Sequence, residues 1–282
     1  MSLLYSDLPV YVGAPNSDGT PGEINTYVAA TQANVSFSVN NVGKRLLGSD
    51  VDATDQFRFG EGGVTANISF STILDPAFNN GFRFVNADNV DAFFAIKIGF
   101  NTYKRCYLNN FSVSVSPYVP VTLNANFTAL QPVSGTTVKP DPTVYDGDPI
   151  PFDPDDIIYG HTCSLSNMTS VVNNVQSEIS YKKQFNRTPI FTIGSSVAST
   201  MLLDSVESEM SITSTGLANL ISISGDKLAS DVVVELDNVD GDSVARFPSL
   251  TMAAGARVLA EGYDVNGGDT LSATATIKQI DL

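Results

Sequence analysis

A strict alternation of apolar and polar residues between positions 111 and 128 constrains the fold more than any other feature. The polar positions are Ser, Thr and Asn, and the alternation is interrupted once, at Pro117–Pro120. Successive side chains of a β-strand point to opposite faces, so this pattern predicts a hairpin with one buried face and one polar face. The apolar set is Phe111, Val113, Val115, Val121, Leu123, Ala125 and Phe127.

Similar short patterns, rich in β-branched and aromatic residues, recur through both halves of the chain and predict further strands. They lie at 35–39, 66–70, 179–181, 190–193 and 232–236. Helical spacing is sparse, and short helices are expected only at 88–98 and 214–221. The fold class predicted is mainly β.

A stretch dense in proline and aspartate, residues 131–156, divides the chain. It holds six of the 14 prolines, and six Asp residues against one Lys. Proline donates no backbone hydrogen bond, so the stretch predicts a linker and not a strand. We expect two tandem β-sandwich or barrel domains, each with at most one short helix, at residues 1–130 and 157–282, joined by this linker. The alternative is an insertion loop within one large domain.

The two halves resemble each other in sequence. Residues 122–128 read TLNANFT and residues 270–276 read TLSATAT, while Val35-Ser36-Phe37 corresponds to Ile179-Ser180-Tyr181. These matches keep the same order and an offset of 144 to 148 positions. The pattern indicates a tandem duplication.

Charge and hydropathy exclude two classes of function. The formal net charge is -15, which leaves little basic surface to neutralise phosphates, so a protein that grips nucleic acid is not expected. A protein that lets DNA pass without holding it remains possible. No apolar run is long enough for a membrane-spanning helix, so no membrane partner is expected.

Catalytic and metal sites are not predicted. The one histidine, His161, and Cys163 would share a face of a strand, but no orienting acid or oxyanion donor accompanies them. Cys106 and Cys163 are expected to be two free thiols. The Asp-rich segments 237–242 and 264–269 could offer oxygen ligands to Ca²⁺, but both lack a Glu at position 12 and are interpreted as turns. No cofactor, no metal and no enzymatic activity are therefore predicted.

Three segments carry a resemblance to a known family. They are SEISYKKQFNRTPIFTIGS at 177–195, its counterpart ANVSFSVNNVGKRLLGS at 33–49, and the hairpin FSVSVSPYVPVTLNANFTAL at 111–130. In these strand patterns the chain resembles tail tube proteins of long-tailed bacteriophages. The resemblance covers most of the chain but includes no diagnostic motif, and the long acidic linker departs from it.

The resemblance implies a structural virion protein, assembled in the host bacterial cytoplasm into stacked rings of a phage tail tube. Rings of three or six chains would surround an acidic lumen through which DNA passes without specific binding, in contact with other tail proteins. Basic pairs at Lys44-Arg45 and Lys182-Lys183 would contact an acidic neighbouring ring. Three alternatives stay open: a baseplate, distal-tail or neck ring component, a host- or carbohydrate-binding β-sandwich module, and a β-rich hydrolase that would lose its activity on a change of His161.

Overall fold

A computed structural model of the chain describes residues 10–13, 26–39, 42–45, 57–60, 64–74, 93–99, 101–130, 157–167, 176–193, 198–215, 225–236, 249–264 and 272–281. These residues form β-strands and one short 3-10 turn at Gly160–Thr162, so the predicted mainly β class is confirmed. The strands before residue 131 are β1 (Val10–Gly13), β2 (Thr26–Val28), β3 (Ala30–Val39), β4 (Val42–Arg45), β5 (Phe57–Gly60), β6 (Val64–Ile73), β7 (Phe94–Ile98), β8 (Asn101–Val115) and β9 (Thr122–Leu130). The strands after residue 156 are β10 (Ser164–Ser166), β11 (Gln176–Phe191), β12 (Ala198–Thr215), β13 (Val232–Glu235), β14 (Leu250–Met252), β15 (Arg257–Asp264) and β16 (Ser272–Asp281).

The N-terminal half is a small closed barrel. Its strands pair in the order β3-β6-β9-β8-β7-β1-β2, and β2 runs through Ala29 directly into β3, so the pairing returns to its starting strand. The interior is filled by aromatic side chains: the Phe127 ring lies 5.8 Å from that of Phe70 and 5.7 Å from that of Phe94. The predicted hairpin is confirmed as β8 and β9, with its whole apolar set buried.

The C-terminal half is a sandwich of two sheets. One layer is β11-β12-β16-β15, and the other is the three-stranded sheet β10-β13-β14. Buried residues of the small sheet, among them Val232, Val234 and Met252, belong to the same core as Met210 and Ile277 of the large one. The backbone N–H of Ala253 also donates to Oε1 of Gln279 at 3.1 Å, which ties the two layers at one end.

The segment that follows residue 156 is attached to the barrel. Ile158 accepts a hydrogen bond from the backbone of Val121 at 2.8 Å and donates one to Leu74 at 3.1 Å. Gly160 packs so closely that an added Cβ would lie 2.0 Å from the carbonyl oxygen of Ser116. The second half therefore starts from a fixed point on the turn between β8 and β9.

One sequence-based expectation is wrong and two lie outside the described residues. Phe94–Ile98, expected to end a short helix, is strand β7, whose Phe94 and Ile96 are buried in the barrel. Val90, Phe93 and Phe94 are spaced three and four positions apart, as on one face of a helix. In the structure the buried pair is Phe94 and Ile96, two positions apart as on one face of a strand. The linker at 131–156 and most of the helix expected at 214–221 lie outside the described residues, where only Ser214 and Thr215 are seen, at the end of β12.

Candidate assembly surface

Eight strands form one continuous antiparallel layer that contains both halves of the chain. Their order is β3-β6-β9-β8-β11-β12-β16-β15. We call β3-β6-β9-β8 the first unit and β11-β12-β16-β15 the second unit. Across each unit the sheet order is the same. Two long strands that pair with each other come first (β3 and β6, or β11 and β12). The last strand of that half of the chain follows (β9 or β16), and then the strand that precedes it in sequence (β8 or β15).

The two units share the same strand register. Val35 opposite Ile68 and Phe37 opposite Ala66 in the first unit match Ile179 opposite Ile212 and Tyr181 opposite Met210 in the second, with both strands displaced by 144 positions. In the next pair of strands, Ile68 opposite Phe127 matches Ile212 opposite Ala275, with the partner strand displaced by 148 positions. The offsets of 144 and 148 positions that the sequence repeat predicts are thus also the offsets between paired residues in the two units. The two units therefore have the same strand order and the same register.

The units join where β8 pairs with β11. Asn110 to Val115 lie opposite Gln184 to Ile179, and the rings of Phe111 and Tyr181 approach to 6.0 Å across the junction. Tyr181 is only 4% exposed, and burial raises the pKa of its hydroxyl. The junction therefore buries aromatic side chains as well as pairing two strand edges.

Arg187 closes the end of this junction, at the point where β11 diverges from β8. Its Nε donates a hydrogen bond to the carbonyl oxygen of Leu108 at 3.1 Å, and its guanidinium lies 5.5 Å from the Tyr107 ring and 5.8 Å from the Phe185 ring. A guanidinium against aromatic faces contributes attraction as well as packing. Sequence reasoning missed this residue, because nothing in its own neighbourhood shows that a distant strand supplies its partner.

The eight-stranded layer has one buried face and one polar face. Residues directly opposite each other share a face, so a single polar row can be followed across all eight strands. The row is Gln32, Ser71, Asn124, Ser112, Lys182, Glu209, Lys278 and Arg257.

In the first unit the polar face carries amides and hydroxyls, except at one end, where Tyr107 and Leu130 are buried against Ala198 of β12. Ser71 donates to Asn124, Asn126 donates to Asn110 at 2.7 Å, and Thr128 donates to Asn67 at 3.2 Å. A shallow groove of about 220 Å³ runs over these strands. It is lined by Gln32, Asn34, Ser69, Phe70, Ser71, Asn124, Ala125 and Asn126.

In the second unit the same face is charged. Lys278 Nζ lies 2.7 Å from an oxygen of Glu207, which also accepts a hydrogen bond from Asn186. The hydrogen bond from Lys278 lowers the pKa of Glu207, and the same contact raises the pKa of Lys278. Lys182 is exposed on this face, whereas Lys183 points the other way, is half-buried beside Phe185, and has its pKa lowered by burial. Of this basic pair only Lys182 is therefore exposed on the polar face, and its contact with a neighbouring ring stays a prediction; the side chains of Lys44 and Arg45, on β4, lie outside the described part.

The two ends of the layer are the outward edges of β3 and β15. No described strand pairs with Val35–Val39 on the edge away from β6, and none pairs with Gly262–Asp264 on the edge away from β16. Phe37 is 54% exposed although its counterpart Tyr181 is buried. Tyr181 has β8 beside it, whereas no described strand pairs with the outer edge of β3 at Phe37, whose ring lies 6.4 Å from the Tyr103 ring.

The predicted chemical candidates do not come together. His161 is exposed and stacks on Tyr118, with ring centroids 5.3 Å apart, while the Cys163 thiol donates to the carbonyl oxygen of Tyr159 at 3.6 Å. Cys106 is buried in the barrel, and burial raises the pKa of its thiol. Both thiols are free, as expected. Asp264 ends β15, and the rest of both Asp-rich segments lies outside the described residues.

Two kinds of feature are absent from the described ranges. No cluster of three or more His, Cys, Asp or Glu side chains is suited to hold a metal ion there. In the same ranges, no helix has the length and hydropathy to cross a membrane.

Comparison with known proteins identifies no family. No family model matches the chain, and no curated protein matches it. Among solved structures, one similar chain comes from the tail of an empty GTA particle computed with helical refinement in C6 symmetry. It matches 48% of this chain and 100% of its own length, with 17% identity and a TM-score of 0.37.

Proposed function

We propose that the chain is a structural subunit that assembles by edge-to-edge pairing into a closed ring, and that these rings stack into a phage tail tube. The observation that carries the proposal is the β8–β11 junction, where one unit already continues, within a single sheet, into a second unit of the same strand order and register. Units of this kind can be added indefinitely, and a ring is the arrangement that leaves no edge exposed.

The polar face supplies the lining of the ring. It carries dense Ser, Thr and Asn side chains in the first unit and intermixed Lys and Glu in the second, while the opposite face is committed to the protein core. Lys182, Lys278 and Arg257 are interspersed on this face with Glu207 and Glu209, and such a mixed lining would let DNA slide, because strong binding to phosphates needs Lys and Arg without neighbouring carboxylates. That the lumen is acidic stays part of the proposal, supported by the net charge of -15.

The partners that follow are other copies of the chain, in rings of three or six, and the remaining proteins of a phage tail. The proposed location is the virion, after assembly in the host bacterial cytoplasm. No catalytic step, cofactor or metal forms part of this function. A baseplate, distal-tail or neck ring would use the same edge pairing. It would differ from a tube in forming a single ring and not a long stack of identical rings.

Negative-stain electron microscopy, combined with the size-exclusion mass, tests the proposal. We expect rings or tubes with a central channel at high protein concentration or after addition of tail tips as nuclei. Single rings that never stack would favour the baseplate or neck role. A protein that stays monomeric even with tail tips would overturn the proposal.

A second function is favoured by the groove on the first unit. Amide and hydroxyl side chains around a shallow polar groove are suited to hydrogen-bond a carbohydrate, which supports a host- or carbohydrate-binding module. A glycan array probed with the wild-type protein and with the Asn124→Ala and Asn126→Ala variants tests this function. Saturable binding that both variants abolish would support it, and the absence of binding would exclude the glycans on the array.

A further inference from the structure

We propose that the junction within the chain is the template for the junction between chains. The edge of β3 in one copy would pair with the edge of β15 in the next, in the register that β11 and β8 already use. This inference rests on the proposed ring and deepens it by specifying which edges and which residues meet.

The register follows from the equivalence of the two units. Tyr263 lies opposite Ala273 as Phe111 lies opposite Ala125, which makes Tyr263 the counterpart of Phe111, 152 positions later. Val39 is likewise the counterpart of Lys183, 144 positions earlier. Since Lys183 lies opposite Phe111, Val39 of one copy is placed opposite Tyr263 of the next, and Ser38 opposite Asp264.

Burial supports the same pairing independently of register. Tyr181 is buried because β8 brings Phe111 to 6.0 Å from it, whereas its counterpart Phe37 is 54% exposed. Placing β15 of another copy beside β3 brings Tyr263, an aromatic residue again, to the position from which Phe111 covers Tyr181. The unpaired edge of β3 thereby gains a neighbouring strand, and the half-exposed Phe37 ring, 6.4 Å from the Tyr103 ring of its own chain, comes to lie beside that strand.

The fourth strands of the two units, β8 and β15, are also paired over the same part of their length. In the first unit β7 covers the start of β8, where Phe94 lies opposite Cys106, and leaves Asn110–Val115 for β11. In the second unit Lys227 lies opposite Arg257 at the start of β15, and the backbone of Val258 donates to Asp226 at 3.0 Å. The part of β15 that follows this contact is therefore the counterpart of Asn110–Val115, the part of β8 that pairs with β11.

The test is disulfide cross-linking in a Cys163→Ser background, with Cys106 retained because it is buried. The double variant Ser38→Cys with Asp264→Cys should give, on oxidation, bands at multiples of the chain mass. The pair Ser112→Cys with Lys182→Cys is the matched control, because the same position at the internal junction must cross-link within one chain. Ser36→Cys with Asp264→Cys, which is out of register, should cross-link much less.

The outcomes separate this inference from the proposed function. Rings in the microscope without an interchain cross-link would overturn the pairing and leave the ring standing. Cross-linked open chains without rings would support the pairing and overturn the ring. A cross-link as strong in the out-of-register variant as in Ser38→Cys with Asp264→Cys would also overturn the assigned register.

A second measurement uses the exposed aromatic ring. Phe37→Ser should abolish assembly at concentrations where the wild type assembles, with little change in the melting temperature of the unassembled protein, because the ring is half exposed. Leu165→Ser, an exposed apolar residue on β10 outside the eight-stranded layer, is the control and should assemble normally. Normal assembly of Phe37→Ser would contradict the pairing.

Discussion

The two units have the same strand order and register but are covered on their inner faces by different structures. The first unit is closed by β7, β1 and β2 into a barrel, and the second is covered by the separate sheet β10-β13-β14. Their polar faces differ as well, since Glu209 and Lys278 of the second unit correspond to Thr65 and Leu130 of the first. What stays the same through these changes is the four-stranded sheet and its register, and the proposed pairing between chains uses the edges of that sheet.

The largest effect is expected from breaking the core of one unit only. Phe127→Ala removes a ring that packs between Phe70 and Phe94, and should lower the free energy of unfolding by about 3–5 kcal/mol. Met210→Ala is the matching change in the second unit and should cost about 2–5 kcal/mol. Chemical denaturation followed by intrinsic tyrosine fluorescence measures both.

The same two variants show whether the halves unfold together. Because the sheet and the buried core are continuous across the β8–β11 junction, we expect one shared transition that either variant shifts. Two transitions, of which each variant shifts only one, would contradict a cooperative junction. Tyr118→Ala, at a residue 82% exposed, is the control and should change stability little.

A smaller effect is expected at the junction itself. Arg187→Met removes the hydrogen bond to Leu108 and the charge over Tyr107, and should lower the free energy of unfolding by about 1–3 kcal/mol. The counterpart of Arg187 in the first unit is Gly43, so this contact belongs to one junction only. Arg187→Lys keeps the charge without the planar donor group, and an unchanged stability in both variants would show that the contact contributes nothing.

The smallest effect concerns the ion pair on the charged polar face. A carboxylate whose pKa is lowered by folding stabilises the protein above its ordinary pKa, and this contribution is lost as the pH falls through the lowered value. Glu207→Gln should therefore be slightly less stable than the wild type at neutral pH, and the difference should vanish in acid.

Thermal melting across that pH range measures the difference. Lys278 determines the behaviour at alkaline pH. Its pKa is raised by Glu207, so the contact stays intact until the pH rises above the ordinary pKa of lysine. Glu178→Gln, at an exposed carboxylate on β11, controls for the loss of one negative charge. An equal response in both variants would mean that the ion pair has no specific role.

Much of the layer could be predicted from the sequence, and the reason is local. The alternation at Phe111–Phe127 and the matched segments around Val35 and Ile179 predicted strands, buried faces and the offset between the halves, because period and composition are properties of each strand alone. The order of strands in the sheet could not be predicted this way. It depends on which distant edges meet, and no local pattern indicates that β8 pairs with β11.

The residues of the candidate surface illustrate the same limit. His161 and Cys163 attracted attention through their residue types, yet the structure gives them only local contacts with Tyr118 and Tyr159. Arg187 and Phe37 have no special sequence context, and their roles follow from neighbours far away in the chain. The helix expected at 88–98 is wrong over Phe94–Ile98, because the curved barrel needs Phe94 and Ile96 on its inner face.

The most direct test of the central claim is to count chains and sheet units in the same assembled ring. Native mass spectrometry gives the number of chains, and rotational class averages from electron microscopy give the number of lobes around the channel. If the internal junction is the template for the junction between chains, we predict two lobes of equal radius for every chain. A ring with one lobe per chain, with the second half projecting outward, would contradict it.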